Sequence, residues 1–595
     1  MERPTPRPEE SVSGPELPPL EASLAAMFVD RARRWPDRVA VKFRGRSGAW
    51  QELAWTALDR KRRAIAAGLH LRGVARGDRV AFVSENRVEM LVAEVAALSI
   101  GAACAPIFPD YGSETLLHCL RQSGAKVVCV GSAAQQAALP TRELGSRIEH
   151  VIVLDDAPAF AGGGAIGLSQ LEQEGAANTG ALAAVDAAVA RLTEEDLAYL
   201  LFTSGTTGRP KGVELLHKNV LAQQAALSVT WDVDEHDVFL AYLPWHHCFG
   251  ALFERMTALS RGALFALDDS RGKNMDRLLE NLRDIRPTVY FSVPRIYQAL
   301  IARAQKSTAA LDAFFHPGLR FVFTAAAPAS PQTYKFFEER SVPILEGWGL
   351  TETSPCVTLT PQKGPREPGV VGWPIPGTTV RLAPTTASDL PGVGEVLVRG
   401  KQVMRGYHRD PSSTSRVLQG EWLRTGDLGE WTPRGLRIKG RADGVFKLEN
   451  GEKVASGEVE ARLLAATPLI EQALVIGSGQ PHVTALLWLS IGAARTWAEN
   501  EDLHVGTPEE LAALPELRLA ITKALQAANL FPPARHERVF RVALLTEAPT
   551  LDRGELTPTM KIIRTAVLQQ NAKLVAALQG RGQDARILEL SRRDE

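Results

Sequence analysis

The chain has 595 residues, 45% hydrophobic and 23% charged, the balance of an ordinary folded protein with material for a large core. Lys plus Arg and Asp plus Glu both number 68, so no global field draws the chain to nucleic acid or an anionic membrane. Five cysteines, at 104, 119, 129, 248 and 356, form no C-x-x-C pair; this argues against a zinc knuckle or a disulfide framework and suits a reducing, cytoplasmic setting.

Residues 1–20 are rich in Pro and Glu and lack an apolar run, so they read as a disordered tail and not as a secretory signal. No uninterrupted apolar stretch reaches ~18 residues, so no transmembrane helix is expected. A helix is predicted over 24–34 and a strand over 39–43. Strand 79–83, helix 87–98, strand 104–107, helix 114–123 and strand 126–130 then alternate. Such alternation implies a largely parallel, doubly wound sheet. Residues 158–191 are rich in Ala and Gly and read as a surface excursion. Within them G-G-G-A-I-G at 162–167 matches G-x-G-x-x-G. It begins well after the strand over 151–154, and no clear amphipathic helix follows, so it reads as a loop and not as a dinucleotide site.

A strand over 197–202 runs straight into a glycine-containing loop. Segments 394–399 and 435–439 read as strands in an antiparallel style, and 440–444 as a hinge. Beyond it come a strand over 472–476 and a charged, helical tail. The expected fold class is α/β. A tail over 1–20 precedes a large N-terminal domain of doubly wound, mostly parallel sheets plus a β-subdomain over 21–440. A small, mobile α+β domain follows over 441–595.

The loop at 203–212 reads T-S-G-T-T-G-R-P-K-G. Glycine lets backbone approach a ligand closely, and hydroxyls and N–H groups donate to phosphate oxygens. Arg209 and Lys211 neutralise charge. The spacing is not that of a Walker A loop, because Lys211 lies between Pro210 and Gly212 and no Ser or Thr follows it.

The loop resembles the signature of the adenylate-forming (AMP-binding) superfamily, and further segments match in order from about residue 45 to 565. L-P-W-H-H-C-F-G (243–250) resembles the segment beside the acyl pocket and puts that role on His247, with His246 as a rival. T-A-A-A-P (324–328) resembles the turn under the adenine, with Ala326 and Ala327. E-G-W-G-L-T-E-T (346–353) resembles the aromatic-G-x-T-E element. T-G-D (425–427) resembles the ribose-binding turn, G-R-A-D (440–443) the hinge, and L-T-P-T-M-K (556–561) the catalytic-lysine segment.

The resemblance implies roles. Thr203, Ser204, Gly205, Thr206, Thr207, Gly208 and Lys211 hold the β- and γ-phosphates. Trp348 stacks on adenine beside Gly349, and Asp427 and Arg441 hold the ribose. Thr351 meets the α-phosphate. Glu352, with Thr206, holds Mg²⁺. Lys561 reaches the carboxylate and α-phosphate as charge develops, from a domain that later turns away. Asp443, Lys447 and Gly451 serve the hinge and the thioester step. The implied reactants are ATP, Mg²⁺, a carboxylic acid and coenzyme A.

W-G-L-T-E-T, G-R-A-D-G-V-F-K-L-E-N-G-E-K-V-A and L-T-P-T-M-K are most similar to the long-chain fatty acyl-CoA synthetases. The apolar stretches 243–259 and 289–301 suit an acyl tunnel and equally suit ordinary core. Only 34 residues follow Lys561, which favours soluble CoA over a fused carrier domain. A separate acyl-carrier protein, a different acid, an inactive homologue and peripheral membrane contact stay open at this point.

Overall fold

The computed structural model describes residues 5–7, 9–155, 165–203, 209–325, 329–386, 392–504, 506–530, 535–550, 553–556, 562–580 and 582–590. Two large mixed sheets and one antiparallel sheet carry residues 12–441, and smaller sheets follow. The fold is the expected α/β class.

In the first sheet, Leu197–Thr203, Ala103–Ile107, Arg79–Val83, Val127–Val130, His150–Val153 and Ala165–Gly167 run parallel. Lys211–Leu216 and Gly406–Tyr407 close one end antiparallel. The second sheet has a parallel centre, with Ile344–Gly349, Phe321–Thr324, Val289–Ser292, Val238–Ala241, Leu264–Leu267 and Val39–Arg44. One continuous core joins residues of both sheets through helices such as Val88–Ser99. Every residue of that helix except Glu89 is buried, as a helix packed on all sides must be. The third sheet pairs Thr378–Ala383, Gly394–Gly400, Trp422–Thr432 and Gly435–Arg441.

From residue 446 on, the chain packs apolar clusters of its own against a four-stranded sheet, Ile470–Ile476, Val483–Leu489, Val539–Leu545 and Ile587–Glu589. The hairpin Val445–Lys447 and Lys453–Ala455 precedes it.

Two expectations need correction. Residues 165–191 are no excursion: helices Leu168–Ala177 and Thr179–Arg191 lie against helix Trp55–Leu71. Small residues let them approach. A Cβ on Gly175 would sit 1.9 Å from the Ala64 carbonyl oxygen, and one on Gly68 would sit 2.4 Å from that of Leu171. The Ala/Gly composition thus records tight helix packing. Of the 162–167 motif, 162–164 lies outside the described residues, and Ala165–Gly167 is a short edge strand.

The supposed tail is also not free throughout. Val12–Ser13 pairs antiparallel with Thr379 and Val380, and Ser13 Oγ lies 2.9 Å from Thr379 Oγ1. Composition reports the lack of a local core; it cannot report a partner strand far along the chain.

Two buried histidines make the fold sensitive to acid. His217 Nδ1 accepts the Leu24 N–H at 3.1 Å. His246 Nε2 donates to the Ser84 carbonyl at 2.6 Å, which leaves a bare, buried Nδ1. Burial lowers both imidazoles to about 4. Folding therefore favours the neutral rings. The stability they supply is complete above an unfolded value of ~6.5 and is lost as pH falls towards 4, by up to about 3 kcal/mol each. Unfolding midpoints from pH 7 to 4 should fall through that window, and replacement of either histidine by Gln should flatten the fall. A profile unchanged by both replacements would refute this origin.

Candidate active site

The strands on either side of the loop of Thr and Gly residues, Leu197–Thr203 and Lys211–Leu216, pair antiparallel. Thr203 ends one strand opposite Lys211, which begins the next, and Phe202 faces Gly212. Ser204, Gly205, Thr206, Thr207 and Gly208 lie outside the described residues. Both flanks are strands, so no helix N-terminus follows the loop, and the positive charge at its foot comes from side chains. Arg209 pairs with Glu114 in the open, where such pairs are weak. Lys211 turns inward: its Nζ donates to Ser413 Oγ at 2.9 Å and lies 5.3 Å from the centroid of the Tyr407 ring.

The segment 348–352 passes the same pair of strands. Trp348 lies on strand Ile344–Gly349, and its Nε1 donates to Asp427 Oδ2 at 2.9 Å. Gly349 is forced by its surroundings, because a Cβ there would lie 1.7 Å from the Pro355 carbonyl oxygen. A single helical turn follows, Thr351–Thr353. The Thr351 hydroxyl meets Cys248 Sγ at 3.3 Å. Glu352 Oε1 accepts the Tyr407 hydroxyl at 2.7 Å.

Asp427 and Arg441 face each other across antiparallel strands. Arg441 Nη1 donates to Asp427 Oδ1 at 3.2 Å and to the Thr425 carbonyl at 2.8 Å; its Nε reaches Asp443 Oδ1 at 3.3 Å. Gly426, at φ +71°, allows the turn and leaves room for that guanidinium. The fold therefore gathers Trp348, Asp427, Arg441 and Asp443 at one end of a short segment. It gathers Lys211, Thr351 and Glu352 at the other.

The two adjacent histidines differ. His246 is buried against Phe108 and Ser84. His247 is half-buried and accepts the Phe249 N–H at 3.3 Å, at the start of a widened helical turn, Phe249–Glu254. Trp245 is fully buried in the core. The apolar stretches 243–259 and 289–301 pack on one another, with Phe253 and Phe291 ring centroids 5.5 Å apart.

Other expected residues do not join this cluster. Lys447 is exposed on the hairpin beyond residue 444, and Gly451 turns it at φ +86°. Ala326, Ala327 and Lys561 lie outside the described residues. Leu556 bridges Ile562, so these two residues flank the lysine segment. Tyr407 and Ser413 escaped the sequence reading. They sit in M-R-G-Y-H-R-D-P-S-S, which displays no phosphate or metal motif, and their partners lie far back along the chain, Glu352 by 55 positions and Lys211 by about two hundred.

Among the described residues, no three of His, Cys, Asp or Glu gather to hold a metal. Glu352 offers a carboxylate with one oxygen held by Tyr407. That suits Mg²⁺, which takes one or two carboxylates and fills its octahedron with phosphate and water. No helix among the described residues is long and apolar enough to cross a membrane.

Comparison with known proteins bears on the family. The AMP-binding enzyme family matches residues 28–408, and the AMP-binding enzyme C-terminal domain matches 443–581. A long-chain-fatty-acid–CoA ligase of Mycobacterium bovis is 29% identical over 96% of this chain and 99% of its own. The peroxisomal long chain acyl-CoA synthetase 6 of Arabidopsis thaliana is 28% identical over 90% of this chain and 82% of its own. Among solved structures, an anthranilate CoA ligase in complex with anthranoyl-AMP superposes with TM-score 0.74 at 21% identity, covering 94% of this chain and 99% of that one.

Proposed function

This chain belongs to the AMP-binding enzymes, and from that premise we propose that it is an ATP-dependent acid–thiol ligase that converts a long-chain fatty acid to its acyl-CoA thioester. One observation carries the reading. The segment 348–352 touches Asp427 through Trp348 and Tyr407 through Glu352. Its two ends are at most about 14 Å apart along the chain. A nucleotide laid along it has base and ribose at the first end and phosphates beside Lys211 at the second.

In this reading Trp348 stacks on adenine, and its bond to Asp427 fixes the indole plane. Asp427 accepts the ribose hydroxyls, and Arg441 holds that carboxylate in place. Thr203 and Lys211 hold the outer phosphates with the rest of the loop. Glu352 and Thr206 hold Mg²⁺, which supplies charge neutralisation on the phosphates. Bringing two anions together is mainly a matter of position and charge. The acid's oxygen bonds to the α-phosphorus while the bond to pyrophosphate breaks; Thr351 donates to an α-phosphate oxygen, His247 borders the acid, and Lys561 meets the developing charge. The CoA thiol then displaces AMP from the acyl carbon. Asp443, Lys447 and Gly451 belong to the turning of the small domain between the two steps.

The long-chain preference rests on the relatives' names and on the sequence texture around Trp348, Arg441 and Lys561. Five cysteines, all buried and none in a disulfide, support a cytoplasmic setting. The test is AMP and pyrophosphate release from ATP, Mg²⁺ and CoA over acids from acetate to oleate, plus benzoate. Turnover that needs CoA and rises with chain length is expected. A peak on short or aromatic acids overturns the long-chain assignment. AMP release only with an acyl-carrier protein moves the acceptor.

A further inference from the structure

Lys211 and Glu352, opposite in charge, both contact Tyr407, yet they form no ion pair with each other among the described residues. The ammonium donates to Ser413 and lies over the phenol ring, while the phenol hydroxyl donates to one carboxylate oxygen. Tyr407 is itself fixed. Its strand pairs with Lys211–Leu216, Tyr407 opposite Val213, and the His408 N–H donates to the Gly212 carbonyl at 2.7 Å. Its own N–H donates to Thr414 Oγ1 at 2.9 Å. The backbone that carries the ring is therefore fixed at the edge of these strands, and the ring's own place is set by Lys211 and Glu352.

We infer that Tyr407 is a positioning residue. It holds the Lys211 cation and the Glu352 carboxylate apart, so that phosphates and their Mg²⁺ enter between two groups that would otherwise neutralise each other. The hydroxyl also turns Glu352 so that its second oxygen stays open to the cation. This role rests on the nucleotide reading above, and no family feature named earlier includes Tyr407.

The experiment is calorimetric titration of ATP into the full chain over a Mg²⁺ series, with wild type, Tyr407→Phe and Tyr407→Leu. Phe keeps the ring and loses the hydroxyl. It should bind metal-free ATP as wild type does, and should need about tenfold more Mg²⁺ for the same gain in ATP affinity, the effect of one hydrogen bond to a charged group. Leu removes ring and hydroxyl; it should show the same Mg²⁺ shift and also bind metal-free ATP more weakly, as Lys211 closes on Glu352. In a Glu352→Gln background, Tyr407→Phe should add no further shift. An unshifted Mg²⁺ series for Tyr407→Phe, or additive effects in the double variant, overturns the role while the nucleotide reading stands. Absence of ATP binding by the wild-type chain overturns both.

Discussion

Arg255→Ala is expected to destabilise the large N-terminal unit by about 3–5 kcal/mol, the cost of leaving a buried charge without its partner. Arg255 and Glu94 are both fully buried, and Nη2 and Oε2 are 2.6 Å apart. The Tyr199 hydroxyl lies 3.1 Å from Arg255 Nη2 and 3.3 Å from Glu94 Oε2. The guanidinium also lies 4.5 Å from the centroid of the Trp245 ring. These four residues come from helix Val88–Ser99, strand Leu197–Thr203 of the first sheet, and the segment that follows the second sheet's Val238–Ala241. The pair thus links elements of the two large sheets. It is not fully satisfied, because Glu94 Oε1 and Arg255 Nε and Nη1 lack hydrogen-bond partners. Burial raises the Glu94 carboxyl against the pull of Arg255. Without the arginine the acid protonates and a cavity remains. Calorimetry should show the drop for Arg255→Ala, and the double replacement Glu94→Leu with Arg255→Met should recover most of it. A loss below about 1 kcal/mol for the single change would mean that water reaches the pair.

Lys561→Ala is expected to lower acyl-adenylate formation by about 10²–10³-fold, as for removal of one donor to developing charge. Reaction of preformed acyl-adenylate with CoA should continue near the wild-type rate. The two half-reactions separate because Lys561 belongs, in the proposed cycle, to the first only. Pyrophosphate exchange reads the first step, and thioester formation from synthetic acyl-adenylate reads the second. Equal loss in both would remove the assigned role and make Lys561 a structural residue.

The helix at Leu24–Arg34, strand Val39–Arg44 and the alternation between Arg79 and Val130 were legible because each carried its own period, whereas strand Trp50–Ala54 and helix Trp55–Leu71 went unread; the motif order pointed to the candidate site in outline. The failures share a cause. Gly175 is read locally as part of a surface excursion, yet with Gly68 it marks helix contact across a hundred residues. Val12 and Ser13 show no local reason to be ordered until Thr379 is in place. Tyr407 looks like an ordinary aromatic until its hydroxyl meets Glu352, 55 positions away. Periodicity and motif spacing report what a residue does for its own element. Distant partners that carry no motif of their own stay hidden.

The edge strand at Val12–Ser13 has a consequence in time. Its partner Thr379 is 366 positions later. During synthesis at about 5–20 residues per second, the first segment of this protein waits about 20–70 s before its docking strand exists. The beginning of the chain therefore cannot settle before the third sheet starts to form, and that sheet keeps an open flank until Val12–Ser13 docks.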